Sequence, residues 1–347
     1  MVGERTKTVP TVSVIATVRN ESATIRNLLN SLARQTRQPD EVVIVDGGSN
    51  DDTLAVLQDD ERRGVLPLRV IVASGCNISE GRNVAISAST GDIVASTDAG
   101  VRLPADWLER LVRPFLAEEA APDVVCGFFA PDPQSVFEVA MGATVLPTVE
   151  EIVPERFLPS SRSVAFRRSA WESVGGYPAW MSFSEDVLFD LALKNRRYRF
   201  VFAPEACVMF RPRSSLGAFW RQYRNYALGD GEGLLWTKRH VVRYGTYLVA
   251  APVLLLAGLL VSPWAWVLLI LGLGAYLRRP YQRLSGTMGS LSWGDRCRAC
   301  LWVPVIRVWG DLAKMVGYPM GLPRGFRQRA QTRAYLGATA TFRRSDS

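Results

Sequence analysis

The stretch DIVASTDAGVRL, residues 92–103, decides the fold. A β-branched apolar run, Ile93 to Thr97, stops on a carboxylate, Asp98; Ala99 and Gly100 follow, and Pro104 marks a helix start. Three runs upstream have the same character: TVSVIAT (11–17), EVVIVD (41–46) and LRVIVAS (68–74). None alternates strictly, as expected of parallel strands covered on both faces. Amphipathic segments separate them. Ile25, Leu28, Leu29 and Leu32 fall at i, i+3, i+4 and i+7, one helical face. SNDD (49–52) reads as a capping box, Ser49 with Asp52, opening the next helix. Trp107, Leu108, Leu111 and Val112 continue the helix that Pro104 opens. The β-α-β-α-β-α-β-α pattern predicts an α/β fold with a mostly parallel open sheet and flanking helices.

In such sheets ligands sit at the carboxyl ends of the strands. Three ends are polar here: ATVRNES (16–22), VDGGSNDDT (45–53) and STDAG (96–100). Glycines and helix N-termini at one edge suit phosphate oxygens. Asp46 can accept from a nucleobase N–H or a ribose hydroxyl, or only close a turn. Arg82 and Asn83 precede the Asp98 strand; Arg82 can hold a phosphate or a neighbouring acid, or sit on a solvated face. In GGYPAWMSFSEDVLFD (175–190), Ser184 reads as an N-cap with Glu185 and Asp186 in the first turn, where the helix dipole favours acids. The same loop also places a general base in a cleft. FWRQYRNYALGDGEG (219–233) mixes aromatic and basic residues, which suits a sugar diphosphate, a headgroup layer or nucleic acid.

The chain has 347 residues, 48% hydrophobic and 21% charged, with a net charge of +8. That balance points to an anionic partner. Composition changes near residue 244: residues 244–277 carry no charge, and Pro263 divides them. One helix of that length is about 51 Å long, against a hydrocarbon core of about 30 Å. A membrane hairpin is therefore expected, ahead of one kinked span or a soluble helix pair. Lys238, Arg239 and Arg243 before it, and Arg278, Arg279 and Arg283 after it, put both ends on the cytoplasmic side. Residues 300–322 are apolar but contain Arg307 and Asp311, one turn apart and so able to pair, and read as an interfacial amphipathic helix. A basic tail, 323–347, follows. Clustering of the basic residues around these segments argues against nucleic acid. The five cysteines are expected to be free thiols, CRAC (Cys297, Cys300) having no second pair and the chain only one histidine, His240. The polar N-terminus, MVGERTKTVP, does not read as a signal peptide.

Over residues 10–235 the chain resembles the family 2 glycosyltransferases, of the inverting GT-A type. The motifs VSVIATVRNESATIRNLLNSLARQT, EVVIVDGGSNDDT, GRNVAISASTGDIVASTDAG, GGYP…SEDVLF and RQYRNYALGDGEG occur in the family's order. The resemblance implies a GT-A domain, 1–235, with a nucleotide-sugar-binding half (10–103) and an acceptor half (104–235), followed by C-terminal membrane helices. It implies Thr17, Arg19, Glu21 and Asp46 at the nucleoside, with Arg82 and Asp98 also on the donor side. Asp186 becomes the base that deprotonates the acceptor hydroxyl, with Glu185 beside it. Gln222, Arg224 and Tyr226 become a loose form of the Gln-x-x-Arg-Trp acceptor and diphosphate element.

One departure concerns metal. The family's Asp-x-Asp is Asp98-Ala99-Gly100 here. Magnesium often uses one or two carboxylates with phosphate oxygens and water, so Mg²⁺ or Mn²⁺ is expected, weakly held by Asp98; alternatively Arg82 or Arg102 takes part of the neutralisation. The expected protein is a transferase at the cytoplasmic face of the inner membrane. It would use a nucleotide-sugar donor and a lipid-linked or glycan acceptor, with membrane lipids as partners. The alternative is a non-catalytic nucleotide-sugar-binding protein.

Overall fold

The computed structural model describes residues 10–117 and 121–337. The four apolar runs form β1 (Val12–Val18), β2 (Glu41–Asp46), β3 (Leu68–Val72) and β4 (Ile93–Ser96), all mutually parallel. Strand β1 is buried on both faces: Val12, Val14, Ala16 and Val18 join one core and Ile15 the other, the period of two that a strand imposes. Helices α1 (Ile25–Ala33), α2 (Thr53–Arg63), α3 (Ile78–Ala88) and α4 (Trp107–Val112) follow β1, β2, β3 and β4. Ile25, Leu28, Leu29 and Leu32 of α1 are buried in the first core. Each contributes at most about 1.5–3 kcal/mol.

Helix starts differ from expectation. Ser49 Oγ accepts from the Asn20 N–H, and Asp51, not Asp52, accepts from the Thr53 N–H, so no box forms at 49–52. A capping box forms instead at α3, between Asn77 and Glu80. Helix α4 begins at Trp107, because Pro104 first makes a turn whose carbonyl takes the Trp107 N–H.

The second half adds β5 (Val101–Arg102), β6 (Val124–Pro131), β7 (Val164–Arg167) and β8 (Phe200–Phe210). The sheet order is β3-β2-β1-β4-β7-β6-β8-β5. Pairs β4–β7, β6–β7 and β5–β8 are antiparallel and β6–β8 is parallel, so the sheet is mixed. Helices α5 (Val136–Val145), α6 (Arg168–Val174), α7 (Glu185–Asn195) and α8 (Leu216–Glu232) complete this half. The α3, α6 and α7 side chains fill the second core with Phe166 of β7.

Then come α9 (Thr237–Gly245), a π-helical stretch Thr246–Ala250, α10 (Ala251–Leu260), α11 (Trp264–Thr287), α12 (Trp293–Arg327) and α13 (Arg329–Tyr335). Residues 237–260 form the one helix, among the described residues, long and apolar enough to cross a membrane, with mean hydropathy 1.5. The chain turns at 261–263, and α11 packs back on α10; Gly258 leaves the space its Trp266 neighbour fills. Leu260, Val261 and Trp264 at the tip are 80, 83 and 76% exposed. Helix α12 overruns 300–322 at both ends and contains Pro304, Pro319 and Pro323. Its glycines lie on α8: a Cβ on Gly317, Gly321 or Gly325 would meet the carbonyl oxygen of Arg224, Leu228 or Gly231 at 2.0–2.2 Å. Residues 329–335, read as tail, form α13, whose Tyr335 hydroxyl donates to Gly176 O at 2.6 Å. Arg343 and Arg344 lie outside the described residues. Asp311 does not pair with Arg307. It accepts from Arg243 Nε at 2.8 Å and the Tyr276 hydroxyl at 2.6 Å, while the Arg307 guanidinium lies over the Tyr276 ring. Cys297 and Cys300 are free thiols.

Candidate active site

The ends of β1, β2 and β4 face the N-terminus of α7 and one side of α8 across a cavity of about 680 Å³. Thr17, Arg19 and Gly47 line the strand side; Asp186, Tyr226 and Asp230 line the other. Past Asp98, Arg162 and Tyr226 the cleft continues into a second cavity of about 740 Å³. This one is lined by Glu21 and Gly100 and by the cations Arg211, Arg213 and Arg221.

A charge cluster stands between them. Arg82 is only 4% exposed; its Nη1 donates to Glu185 Oε1 at 2.6 Å and its Nη2 lies 3.6 Å from Asp98 Oδ1. Arg162 Nε lies 3.7 Å from Asp98 Oδ2, and its guanidinium rests over the rings of Phe210 and Phe129. Burial alone would depress the Arg82 pKa; Glu185, Tyr177 and Asp98 more than offset it and raise it above the ordinary value. Burial and Asp186 push the Glu185 carboxyl up, against Arg82. Removing one partner of such a buried pair costs about 3–5 kcal/mol. Arg82 reaches the site because Gly81 packs against Thr17, where a Cβ would sit 2.4 Å from Cγ2.

The neighbouring Asn83 fixes the opposite wall. Its Oδ1 accepts from Trp171 Nε1 and the Tyr177 N–H, and its Nδ2 donates to Tyr177 O. Gly176, at φ +84°, passes so close that a Cβ would lie 2.8 Å from that Oδ1. The GGYP motif is thus pinned to the GRN motif. Beyond it, Ser182 binds Glu232, which also takes Arg324 of α12. Ser184 is not an N-cap by side chain: it adopts φ +59°, a conformation L residues rarely take, and its Oγ turns toward Tyr226 O and Asp230. This turn leaves Asp186 facing the cavity, its Oδ1 accepting only the Val187 N–H.

Thr17, Arg19, Arg82, Asp98, Glu185, Asp186 and Tyr226 therefore come together at the first cavity, and Glu21 and Gln222 at the second. Glu185 is committed to Arg82, which leaves Asp186 as the acid of this pair that is open to a ligand. Asp46 sits fully buried behind Gly47. Its Oδ1 accepts the Gly48 and Ser49 N–H groups while its Oδ2 has no partner. Arg224 is not at the cleft. Two residues along a helix turn the side chain by about 200°, so Gln222 faces the cleft and bonds the Tyr226 hydroxyl, whereas the Arg224 backbone lies against Gly317 of α12 and its Nη2 donates to Asn225 Oδ1 at 3.2 Å. Arg102 pairs with Asp132.

Sequence reasoning missed Arg162, Asp190 and Asp230. Arg162 lies in the loop PSSRS, with only small polar neighbours to mark it. Asp190, four residues after Asp186, is buried with its Oδ2 unpartnered, and burial raises its pKa well above the carboxylate range.

Asp98 is the candidate for a divalent cation. Its carboxylate is about one-third exposed and lines both cavities. Both guanidiniums stand beyond hydrogen-bond length, so its lone pairs remain available. No cluster of three metal-binding side chains exists among the described residues. The donor set fits one position of an oxygen-rich shell, the remainder falling to diphosphate and water.

Residues 13–183 match the model of glycosyl transferase family 2, and 153–281 that of glycosyl transferase family group 2. The chain is 28% identical over 251 residues to the glycosyltransferase AglE of Haloferax volcanii, covering 67% of this chain and 76% of that one. It is 24% identical over 258 residues to the O-antigen chain rhamnosyltransferase RfbN of Salmonella typhimurium, covering 66% and 80%. Its fold resembles that of the mannosyltransferase PcManGT from Pyrobaculum calidifontis, solved with GDP-Man and Mn²⁺. That match has a TM-score of 0.55 and 19% identity, over 91% of this chain and 88% of that one.

Proposed function

From the premise that this chain belongs to glycosyl transferase family 2, and is a glycosyltransferase, we propose that it moves a sugar with inversion. The donor is a nucleoside-diphosphate sugar and the acceptor a hydroxyl of a lipid-linked or glycan molecule, at the cytoplasmic membrane face. One observation carries the reading. An open carboxylate, Asp186, faces across one cavity toward an acid, Asp98, flanked by two arginines. Inversion needs a base on the acceptor side and charge neutralisation on the departing side.

In this mechanism the donor lies along the ends of β1 and β2, with Thr17, Arg19 and Gly47 around it. Asp186 takes the proton of the acceptor hydroxyl while that oxygen bonds to the anomeric carbon. The bond from that carbon to the diphosphate breaks, and its electron pair leaves with the diphosphate. Arg82 and Arg162 neutralise the growing negative charge from fixed positions. A positioned base contributes about 10²–10⁴-fold. A divalent cation held by Asp98 would add to the neutralisation.

The 237–260 helix, its apolar tip and the basic residues at its root support membrane attachment beside the cleft. The similarity to RfbN, an O-antigen chain rhamnosyltransferase, supports a saccharide-bearing acceptor. Gly100, where a second acid is expected, favours the alternative of a binding protein without turnover. One experiment separates them. Full-length protein in detergent, with membrane lipid extract and a panel of nucleotide sugars, should release nucleoside diphosphate over many turnovers. Binding without release would support the alternative.

A further inference from the structure

The chain's single histidine is buried between the cleft and the root of the apolar helices. Arg243 Nη1 stands 3.1 Å from His240 Nδ1. A guanidinium only donates, so Nδ1 is the bare nitrogen and Nε2 carries the proton. Nε2 then donates to Asp230 Oδ2 at 3.1 Å. The ring stacks on Tyr318 of α12 with centroids 3.8 Å apart, and the other arm of Arg243 is fixed on Asp311. Every degree of freedom of this imidazole is therefore taken up in aiming one N–H at one carboxylate.

That carboxylate lines the first cavity. Its other oxygen is 3.4 Å from Ser184 Oγ, beside the strained residue that sets Asp186. A carboxylate has about four acceptor sites, so Asp230 keeps free lone pairs toward the cavity. We infer that Asp230 holds a hydroxyl of the acceptor's terminal sugar next to Asp186, and that His240 is the positioning residue that orients it. The inference rests on the transferase reading and narrows the acceptor class. Asp186 and Asp230 on the acceptor wall accept hydroxyl donors and repel a phosphate monoester, which carries nearly two negative charges, while two of the cavity's cations, Arg82 and Arg162, are held on the donor side by Glu185 and Asp98. The accepting group is a saccharide hydroxyl, and a bare polyprenyl phosphate is a poor acceptor.

The test uses full-length protein in detergent with two acceptor probes, undecaprenyl phosphate and a lipid-linked saccharide fraction of membrane extract. Sugar transfer should be confined to the second. Asp230→Asn should raise the half-saturating saccharide concentration about tenfold, as expected for one charge-assisted hydrogen bond, while dissociation constants for GDP and UDP change less than about twofold. His240→Ala should reproduce that shift, and His240→Gln, which keeps a donor near Nε2, should recover much of it. A ¹⁵N spectrum of the unaltered protein, with its one histidine, should show a neutral ring protonated on Nε2.

Efficient transfer to undecaprenyl phosphate, an Nδ1-protonated ring, or variants that lose thermal stability at unchanged half-saturation would each overturn the inference. Absence of diphosphate release from every donor would instead defeat the transferase reading itself.

Discussion

At the scale of single residues, three side chains make separable claims. Asp186→Asn keeps the shape of the site and removes the base. Turnover should fall by roughly 10²-fold or more, with nucleoside-diphosphate affinity within about threefold; turnover near wild type would remove Asp186 from its role. Asp98 stands without a second acid, and the backbone is ready for one: a Cβ on Gly100 meets nothing within 4 Å, at no unusual φ. Gly100→Asp should tighten Mn²⁺ binding in the presence of nucleoside diphosphate by about tenfold, or 1.4 kcal/mol. Asp98→Ala should abolish that binding, both read by calorimetry. Asp190 carries a pH signature. Its folded-state pKa lies well above the ordinary 3.8 because the site is buried. The stability it supplies is present below pH 3.8 and is lost as pH rises through the folded value. Asp190→Asn, a mimic of the protonated acid, should match wild-type thermal stability near pH 4 and exceed it as pH rises from there to the folded-state value. Equal pH profiles for the two proteins would show that Asp190 is not held protonated.

At the scale of elements, the contact between α8 and α12 depends on absent side chains. Gly317, Gly321 and Gly325 recur every four residues along α12 and let two backbones touch, a small-residue seam. A methyl at Gly321 would overlap Leu228 O, and no rotamer relieves backbone. Gly321→Ala should lower stability by about 1–3 kcal/mol in detergent, whereas Gly274→Ala on α11, where a Cβ meets nothing, should not. The same seam explains why 300–322 reads as an interfacial helix in the sequence: its apolar residues are plain, but the partner that covers one face lies 93 residues upstream, as for Trp309 and Leu216. For α1 the sequence was enough. Ile25, Leu28, Leu29 and Leu32 state both a helix and its buried face, because local periodicity and burial agree. For the 49–52 cap it was not, since Ser49 has a competing partner in Asn20 that no local rule reveals.

For the whole molecule, the reading of a membrane hairpin beside a cytoplasmic cleft has a direct check. Carbonate or high-salt washing should leave the protein in the membrane pellet, because screening weakens only electrostatic attachment. Cys297, exposed near the start of α12, should resist an impermeant maleimide in intact cells and react once they are opened. Release by salt, or labelling of intact cells, would refute the topology.

The sequence by itself determined the parallel half of the sheet, the helices between its strands, the polar strand ends and the apolar run after residue 244. These rest on periodicity, composition and turn chemistry within a few residues. Only the tertiary structure decided which of the polar residues meet. Arg82 finds Glu185 103 positions away, and Arg162 joins Asp98 from a loop without a pattern. Arg224 turns from the cleft on the helix that brings Gln222 into it. His240 reaches Asp230 around a turn that only the packing of α9 on α12 fixes. Side-chain direction and long-range pairing depend on how elements pack, and packing is a property of the whole chain rather than of any window along it.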